Sequence, residues 1–359
     1  MQMEIPLVVA DEKILKSKHY VCAKMPDHLL AIESSCDDTG AAVFTNGQLA
    51  SNVVFSQLVH ELYGGVVPEV ASRRHLEAIL PVVKKALQEA SVDKSDLTAI
   101  ACTRGPGLMG SLMVGYTFAK SLAKALGLPL ISVDHMKAHI LAHFIEEPKP
   151  AFPFLCLTVS GGHTQLVIVR GFDHFELVGS TLDDAAGEAF DKTGKLLGLP
   201  YPAGPHVDRE AQQGSPIFSF STANIPGHDF SFSGFKTSVL YFLREQIAKN
   251  ENFVAENLAN LCASIQDNIV QTLVDKCLVA LQQYSISTLA VAGGVSANSG
   301  LRKALQEEAS QLGFELYIPK ISYCTDNAAM IGMAGYIDWK NGKFSSFDLA
   351  PDPRLRSMY

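Results

Sequence analysis

The chain has 359 residues, 47% of them apolar and 18% charged, with a formal net charge of −8. Length and composition suit a soluble globular protein with room for two cores. They exclude a membrane-spanning chain, since no apolar run reaches the roughly 18 residues a span needs, and the charge argues against a surface that is a nucleic-acid platform throughout.

Seven cysteines, at positions 22, 36, 102, 156, 262, 277 and 324, form no C-x-x-C pair. That scattered, odd set points to a reducing compartment, so a cytoplasmic protein without disulfides or a structural zinc site is expected. Residues 1–27 read as an N-terminal extension, too mixed in charge for a transit peptide. From His28 the pattern changes. Leu29 to Glu33 is a buried-strand run, Ser34 to Thr39 a polar turn and Gly40 to Phe44 a second strand. Asp37 and Asp38 in that turn suit either a charged ligand or plain turn stabilisation.

A Gly/Pro-marked loop, Tyr63 to Pro68, precedes a helix over Glu69 to Ala90, whose Arg73-Arg74 and Lys84-Lys85 read as a solvated face. Leu97 to Cys102 is again a strand, running through Arg104-Gly-Pro-Gly107 into an apolar helix over Leu112 to Leu126. Strand, glycine loop and helix in that order let backbone approach an anion, though the spacing is neither G-x-G-x-x-G nor a Walker loop. Next, Asp134 reads as the N-cap of a helix carrying His135 and His139. Four residues apart, the two rings leave one helical face and can share a metal ion; two half-exposed polar histidines would show the same spacing.

The second half repeats the plan. Phe154 to Val159, a Ser-Gly-Gly turn and Gln165 to Val169 make a second hairpin, and Thr288 to Ala292, Gly293-Gly294 and a helix from about Ala297 repeat the strand–glycine–helix unit. A helix over Leu182 to Gly194 is expected to carry Asp184, Glu188 and Asp191. Asp191 reads as a surface acid or as an acceptor for a ribose hydroxyl. Near the end, Asp326 is most simply the N-cap of another helix, and it is also a carboxylate that could complete a His-His-Asp set. The fold class expected is α/β, with two similar actin/hexokinase-like domains facing a central nucleotide cleft: residues 28–153 and 154–325, then a C-terminal helix and tail over 326–359.

Taken together, the ordered motifs Ile32-Glu-Ser-Ser-Cys-Asp-Asp-Thr-Gly40, Gly64-Gly-Val-Val-Pro-Glu69, Arg104-Gly-Pro-Gly107, His135-x-x-x-His139, Ser160-Gly-Gly-His-Thr-Gln165, Gly187-Glu-Ala-Phe-Asp-Lys192 and Gly293-Gly-Val-Ser-Ala-Asn298 resemble the TsaD family. These are bacterial tRNA threonylcarbamoyladenosine transferases, formerly described as O-sialoglycoprotein endopeptidases; the resemblance runs from about residue 28 to 345. It implies transfer of a threonylcarbamoyl group from threonylcarbamoyl-AMP to N6 of the adenosine 3′ of the anticodon, in tRNAs reading A-starting codons. It implies His135, His139 and Asp326 as ligands of one divalent metal, iron(II) with zinc as the alternative. It also implies that Thr158, Val159, Ser160, Gly161, Gly162, Asp191, Gly204, Asp208 and Asn298 contact the adenylate, and that TsaB and TsaE are partners, with TsaC-type enzymes making the donor.

The chemistry suits that reading, because a mixed anhydride is already activated and needs positioning and charge stabilisation rather than a covalent nucleophile. Asp37 is the candidate proton acceptor for adenine N6. Three positions depart from the family pattern: Asp38 stands where glutamate is usual, Ala203 where glycine is usual, and Thr158 where archaeal and eukaryotic relatives have tyrosine. A metallopeptidase would need a glutamate beside the histidines, where Met136 stands, and a phosphotransferase with Mg²⁺ would favour oxygen ligands over two imidazoles. A scaffold would need no metal ligands at all.

Overall fold

The computed structural model describes residues 26–223 and 225–355, so all but the last two residues of the expected extension lie outside the described residues. The first half runs β1 (His28–Glu33), β2 (Asp38–Thr45), β3 (Gln48–Ser56), α1 (Pro68–Glu89), β4 (Ala99–Gly105), α2 (Met109–Leu126), β5 (Leu130–Asp134) and α3 (His135–Leu141). The second half opens with β6 (Phe154–Val159), β7 (Thr164–Gly171), β8 (His174–Ser180), α4 (Ala186–Leu196), α5 (Ala203–Ala211) and α6 (Ser233–Lys249). It continues with α7 (Phe253–Tyr284), β9 (Thr288–Ala292), α8 (Ser299–Leu312), β10 (Glu315–Tyr317) and α9 (Ala328–Lys340).

Each half builds one five-stranded sheet, and the two orders, β3-β2-β1-β4-β5 and β8-β7-β6-β9-β10, are the same plan. In each, three antiparallel strands are followed by two parallel ones. The expected duplicated actin/hexokinase-like α/β plan is therefore the one found. Its two hairpin turns differ in length: six residues, Ser34 to Thr39, lie between the paired Glu33 and Gly40, against four, Ser160 to His163, between Val159 and Thr164.

Alternation along the strands sorts side chains into layers. From β1, Leu30 and Ile32 face a core shared with α1 and α2, while Leu29 and Ala31 face the opposite way. From β6, Leu155, Leu157 and Val159 join the core under α4 to α8. Phe154 and Cys156 turn inward to meet Leu29, Phe44, α3 and α9. The molecule is thus layered as helices, sheet, α3 with α9, sheet, helices. The inner layer holds α3 at the C-terminal end of β5, so whatever α3 displays is held between both halves.

One buried contact in that layer carries a pH dependence. His143, in the short turn after α3, donates from Nε2 to the Val291 carbonyl on β9 at 3.0 Å. Burial pushes its imidazole down to about 4 from an ordinary 6.5. The unfolded chain therefore takes this proton near 6.5 and the folded chain only near 4. Stability is full above the first value and falls as pH drops toward the second, by at most about 3 kcal/mol. Urea midpoints between pH 7.5 and 4 are expected to fall more steeply for the wild type than for His143→Phe; parallel curves would remove His143 as the cause.

Candidate metal centre and cleft

The metal-ligating candidates come from two distant points of the chain. Asp134 caps α3 as the sequence suggests, its carboxylate accepting from the backbone N–H of Met136 at 2.8 Å and Lys137 at 3.1 Å. That cap fixes where the first turn begins, and both His135 and His139 are buried. Asp326 is not an N-cap, contrary to the simplest expectation. Asn327 caps α9, accepting from Met330 N at 3.1 Å, so the Asp326 carboxylate is free to face α3.

There three donor atoms converge. His135 Nε2 and His139 Nε2 lie 3.2 Å apart, and Asp326 Oδ1 is 3.4 Å from the first and 3.2 Å from the second. Ligands about 2.1 Å from a common ion stand roughly 3.0–3.4 Å from one another, so the spacing fits one cation. Among the described residues, this is the cluster of three or more His, Cys, Asp or Glu able to hold a metal.

A fourth side chain completes the surroundings. Glu33, at the end of β1 and fully buried, places Oε2 3.4 Å from His135 Nδ1, and Ser35 Oγ lies 3.2 Å from the same nitrogen. Glu33 is itself held by the Ser35 N–H at 2.5 Å and by the Thr103 hydroxyl. A carboxylate behind a ligating histidine fixes its tautomer and raises its basicity. Burial would raise both acids, yet the His135 imidazolium outweighs it and holds Glu33 and Asp326 below the usual carboxylate range. Burial likewise opposes charge on His135, but Asp326 and Glu33 raise it well above its ordinary value, while burial keeps His139 low. Two carboxylates against one imidazolium leave one negative charge unbalanced. A divalent ion in place of that proton neutralises the set, and two imidazoles with one carboxylate suit iron or zinc better than an oxygen-seeking ion.

The triad opens on a cleft of about 1440 Å³. Of the residues named from the sequence, Asp37, Ser160, Gly161, Gly162, Asp191, Gly204, Asp208, Asn298, His135 and Asp326 line it. Thr158 and Val159 do not, because the buried run of β6 continues through both and the turn begins only at Ser160. At Gly161 and Gly162 a Cβ would meet nothing within 4 Å, so the turn offers bare backbone to the cleft.

Three polar candidates are also engaged in holding elements together. Asp191 Oδ1 accepts from the backbone N–H of Ala203 at 2.7 Å and Gly204 at 3.3 Å, tying α4 to the start of α5. Burial raises its carboxyl. Asp208 accepts from Ser299 N and Oγ at 3.1 and 2.6 Å. Asn298 caps α8 through Leu301 N at 2.9 Å and donates to Gln266 Oε1 at 2.7 Å. Ala203, in place of the family's glycine, opens α5 without a positive φ, so nothing there requires glycine. Asp184 corrects another expectation: α4 begins at Ala186, and Asp184 lies before it, bonded to Lys192 Nζ at 2.6 Å.

Sequence reasoning passed over Glu33, Ser35 and His163. The signal for Glu33 was an acid closing an apolar strand run. His163 lines the cleft beside the turn, and burial, with the two nearby imidazoles, pushes it down to about 4. The β1–β2 turn is stitched from both neighbouring helices: the Cys36 carbonyl accepts from His75 Nε2 at 3.0 Å and from Ser111 Oγ at 2.8 Å. Burial and the adjacent acids push the Cys36 thiol far above its ordinary range, which removes it as a thiolate nucleophile.

A family model described as TsaD, tRNA N6-adenosine threonylcarbamoyltransferase, matches residues 48–333. A protein of Cytophaga hutchinsonii named tRNA N6-adenosine threonylcarbamoyltransferase is 56% identical over 91% of this chain and 96% of its own. One of Christiangramia forsetii with the same name is 54% identical over 92% and 98%. Among solved structures, HypF of T. kodakarensis superposes with a TM-score of 0.59 at 13% identity, covering 91% of this chain and 50% of HypF. Component A of the (R)-2-hydroxyglutaryl-CoA dehydratase of Acidaminococcus fermentans gives 0.51 at 14% identity, over 87% and 98%. At such identities the structures speak for the fold alone.

Proposed function

The chain belongs to the TsaD family of tRNA N6-adenosine threonylcarbamoyltransferases and is a transferase, and from that premise we propose that it transfers threonylcarbamoyl from threonylcarbamoyl-AMP to N6 of the adenosine 3′ of the anticodon, in tRNAs reading A-starting codons. The observation that carries this reading is the convergence of His135, His139 and Asp326, two of which, His135 and Asp326, line the same cleft as the Ser160–Gly162 turn.

In the step proposed, the N6 lone pair forms a C–N bond to the carbamoyl carbon, the bond from that carbon to the phosphate oxygen breaks, AMP leaves, and N6 loses a proton. An ion held by His135, His139 and Asp326, iron(II) or alternatively zinc, would supply a Lewis acid for charge that develops on oxygen. The protein's own groups do the rest. Gly161 and Gly162 let phosphate oxygens approach backbone N–H groups without a side chain in the way. Asp191, Gly204, Asp208 and Asn298 would form the wall where the nucleoside lies, Asp191 held by the Ala203 and Gly204 N–H groups, Asp208 by Ser299 and Asn298 by Leu301. No thiolate is required, in keeping with the raised Cys36 thiol.

For the proton at N6 the candidates are Asp37 and its neighbour Asp38, both on the cleft wall. Burial raises the Asp38 carboxyl to about 7. A base must be ionised, so a rate governed by Asp38 rises with pH through about 7. Asp38→Asn is expected to abolish that ascending limb; if the limb persists, Asp37 keeps the role.

The cleft wall carries seven carboxylates against two lysines, Lys192 and Lys195, and Lys192 is already paired with Asp184 at 2.6 Å and Glu188 at 2.8 Å. Such a wall attracts RNA poorly by itself, which supports tRNA being held partly by TsaB and TsaE subunits. Among the described residues no helix is long and apolar enough to cross a membrane, in keeping with action in the cytoplasm. The test is single-turnover modification of an A-codon tRNA transcript with prepared threonylcarbamoyl-AMP, partners and metal. Absence of product under every combination of partner and metal would overturn the reading.

A further inference from the structure

After α9 the chain does not leave the molecule. It turns back along the outside of the first sheet and crosses the loop between β4 and α2. Ser345 N donates to the Leu130 carbonyl on the edge strand β5 at 2.8 Å. Lys120 Nζ, from α2, donates to the Leu349 carbonyl at 2.7 Å, and Arg104 Nε donates to the Ala350 carbonyl at 3.0 Å. The contact then becomes backbone to backbone: Asp352 N donates to the Arg104 carbonyl at 2.9 Å, and Gly107 N to the Pro353 carbonyl at 3.3 Å. The fit is close enough that a Cβ on Gly105 would lie 1.8 Å from the Asp352 carbonyl oxygen.

The inner side of the clamped loop faces the site. Pro106, Gly107 and Leu108 line the cleft. Leu108 N donates to the Ser35 carbonyl at 2.7 Å, and Ser35 Oγ stands 3.2 Å from His135 Nδ1. From these contacts we infer that residues 345–355 are a positioning strap, which presses the Arg104–Leu108 loop onto the β1–β2 turn and so holds Ser35 against the ring of His135.

A surface segment whose only task was to cover the edge of β5 would stop at Ser345 or Leu349. This one continues for several residues onto the loop, where its bonds fall on backbone groups and on Arg104. The inference rests on the metal reading of His135, His139 and Asp326. Groups behind a metal ligand typically change affinity by about ten- to a hundredfold when lost. The strap reaches Ser35 only through the Arg104–Leu108 loop, two contacts further out, so the lower end of that range is expected.

Cobalt(II) serves as the probe, read by chelator competition and by its visible spectrum. A chain ended after Leu349, and separately Arg104→Met, are compared with the full chain, with the melting temperature followed alongside. The expected result is a roughly tenfold weaker cobalt affinity and an altered spectrum in the truncated chain, with a smaller change of the same sign in Arg104→Met. The transfer assay should show kcat falling while KM for the donor holds. An unchanged cobalt affinity and spectrum, with only a lower melting temperature, would make the strap structural and overturn the inference. Should the truncated chain fail to fold, Arg104→Met decides by the same criteria. A full-length chain that binds no cobalt at all overturns the metal reading and this inference together, whereas normal cobalt binding without transfer sinks only the proposed reaction.

Discussion

Replacing His139 with alanine is expected to lower single-turnover transfer by about a hundredfold or more, and to lower bound metal in parallel. The imidazole supplies one of three donor atoms, 3.2 Å from each of the other two, and among the described residues no further His, Cys, Asp or Glu joins that group to take its place. Unlike His135, whose Nδ1 is supported by Ser35 and Glu33, His139 has an Nδ1 that is buried without a hydrogen-bond partner. Its orientation depends on packing and on what Nε2 binds, so a conservative replacement should rescue little. His139→Gln, with its amide on a flexible stem, is expected to bind metal little better than alanine. The measurement is metal content by mass spectrometry beside the product yield in one turnover. Wild-type yield from an alanine variant that folds would take His139 out of the chemistry.

The second large effect concerns folding. Gly293 joins β9 to the turn before α8 at φ +89°, in the region that side chains other than glycine avoid. A Cβ there would lie 2.4 Å from the Val159 carbonyl oxygen and 2.8 Å from its carbon, and both are backbone of the neighbouring strand β6. Neither strand can yield easily, because Thr158 pairs with Ala292 at this end of the parallel ladder. Gly293→Ala therefore combines backbone strain with a steric wedge between β6 and β9, and should cost about 3 kcal/mol or more. Because Val159 leads directly into Ser160–Gly162, the donor KM should rise in whatever fraction folds. A urea midpoint equal to that of the wild type would mean that the strands part at little cost.

Much of this was legible in the sequence, for reasons that can be named. The α3 cap was readable because an Asp directly before a periodic helix has one good role. The duplicated architecture was readable because each strand–glycine–helix unit repeats its punctuation. Of the two readings of Asp326 only the N-cap failed, because Asn327, the residue beside it, is an equally good cap and its side-chain oxygen is the one that accepts from Met330; the alternative, a carboxylate beside the two histidines, is where the structure puts it. Asp184 was placed on a helix because nothing in the sequence marks the start at Ala186, where no side chain caps the first turn. The engagement of Asp191, Asp208 and Asn298 with neighbouring helices was out of reach, since their partners Ala203, Ser299 and Gln266 lie 12, 91 and 32 residues away. Glu33 was overlooked for the same reason: its partner His135 is 102 positions further on.

The inner layer has a consequence for how the protein is made. Its two histidines and its carboxylate are separated by 187 residues of chain. At about 5–20 residues per second, a ribosome needs roughly 10–40 s after His139 to reach Asp326. During that interval the nascent first half has its α1 and α2 face covered, while the apolar face of Leu29, Ala31, Ala42 and Phe44 still lacks α9. An exposed imidazole pair and an uncovered sheet face thus wait together, and the same late helix closes both. On the proposed metal reading, loading of the ion and completion of the first core would thus fall together at the end of synthesis.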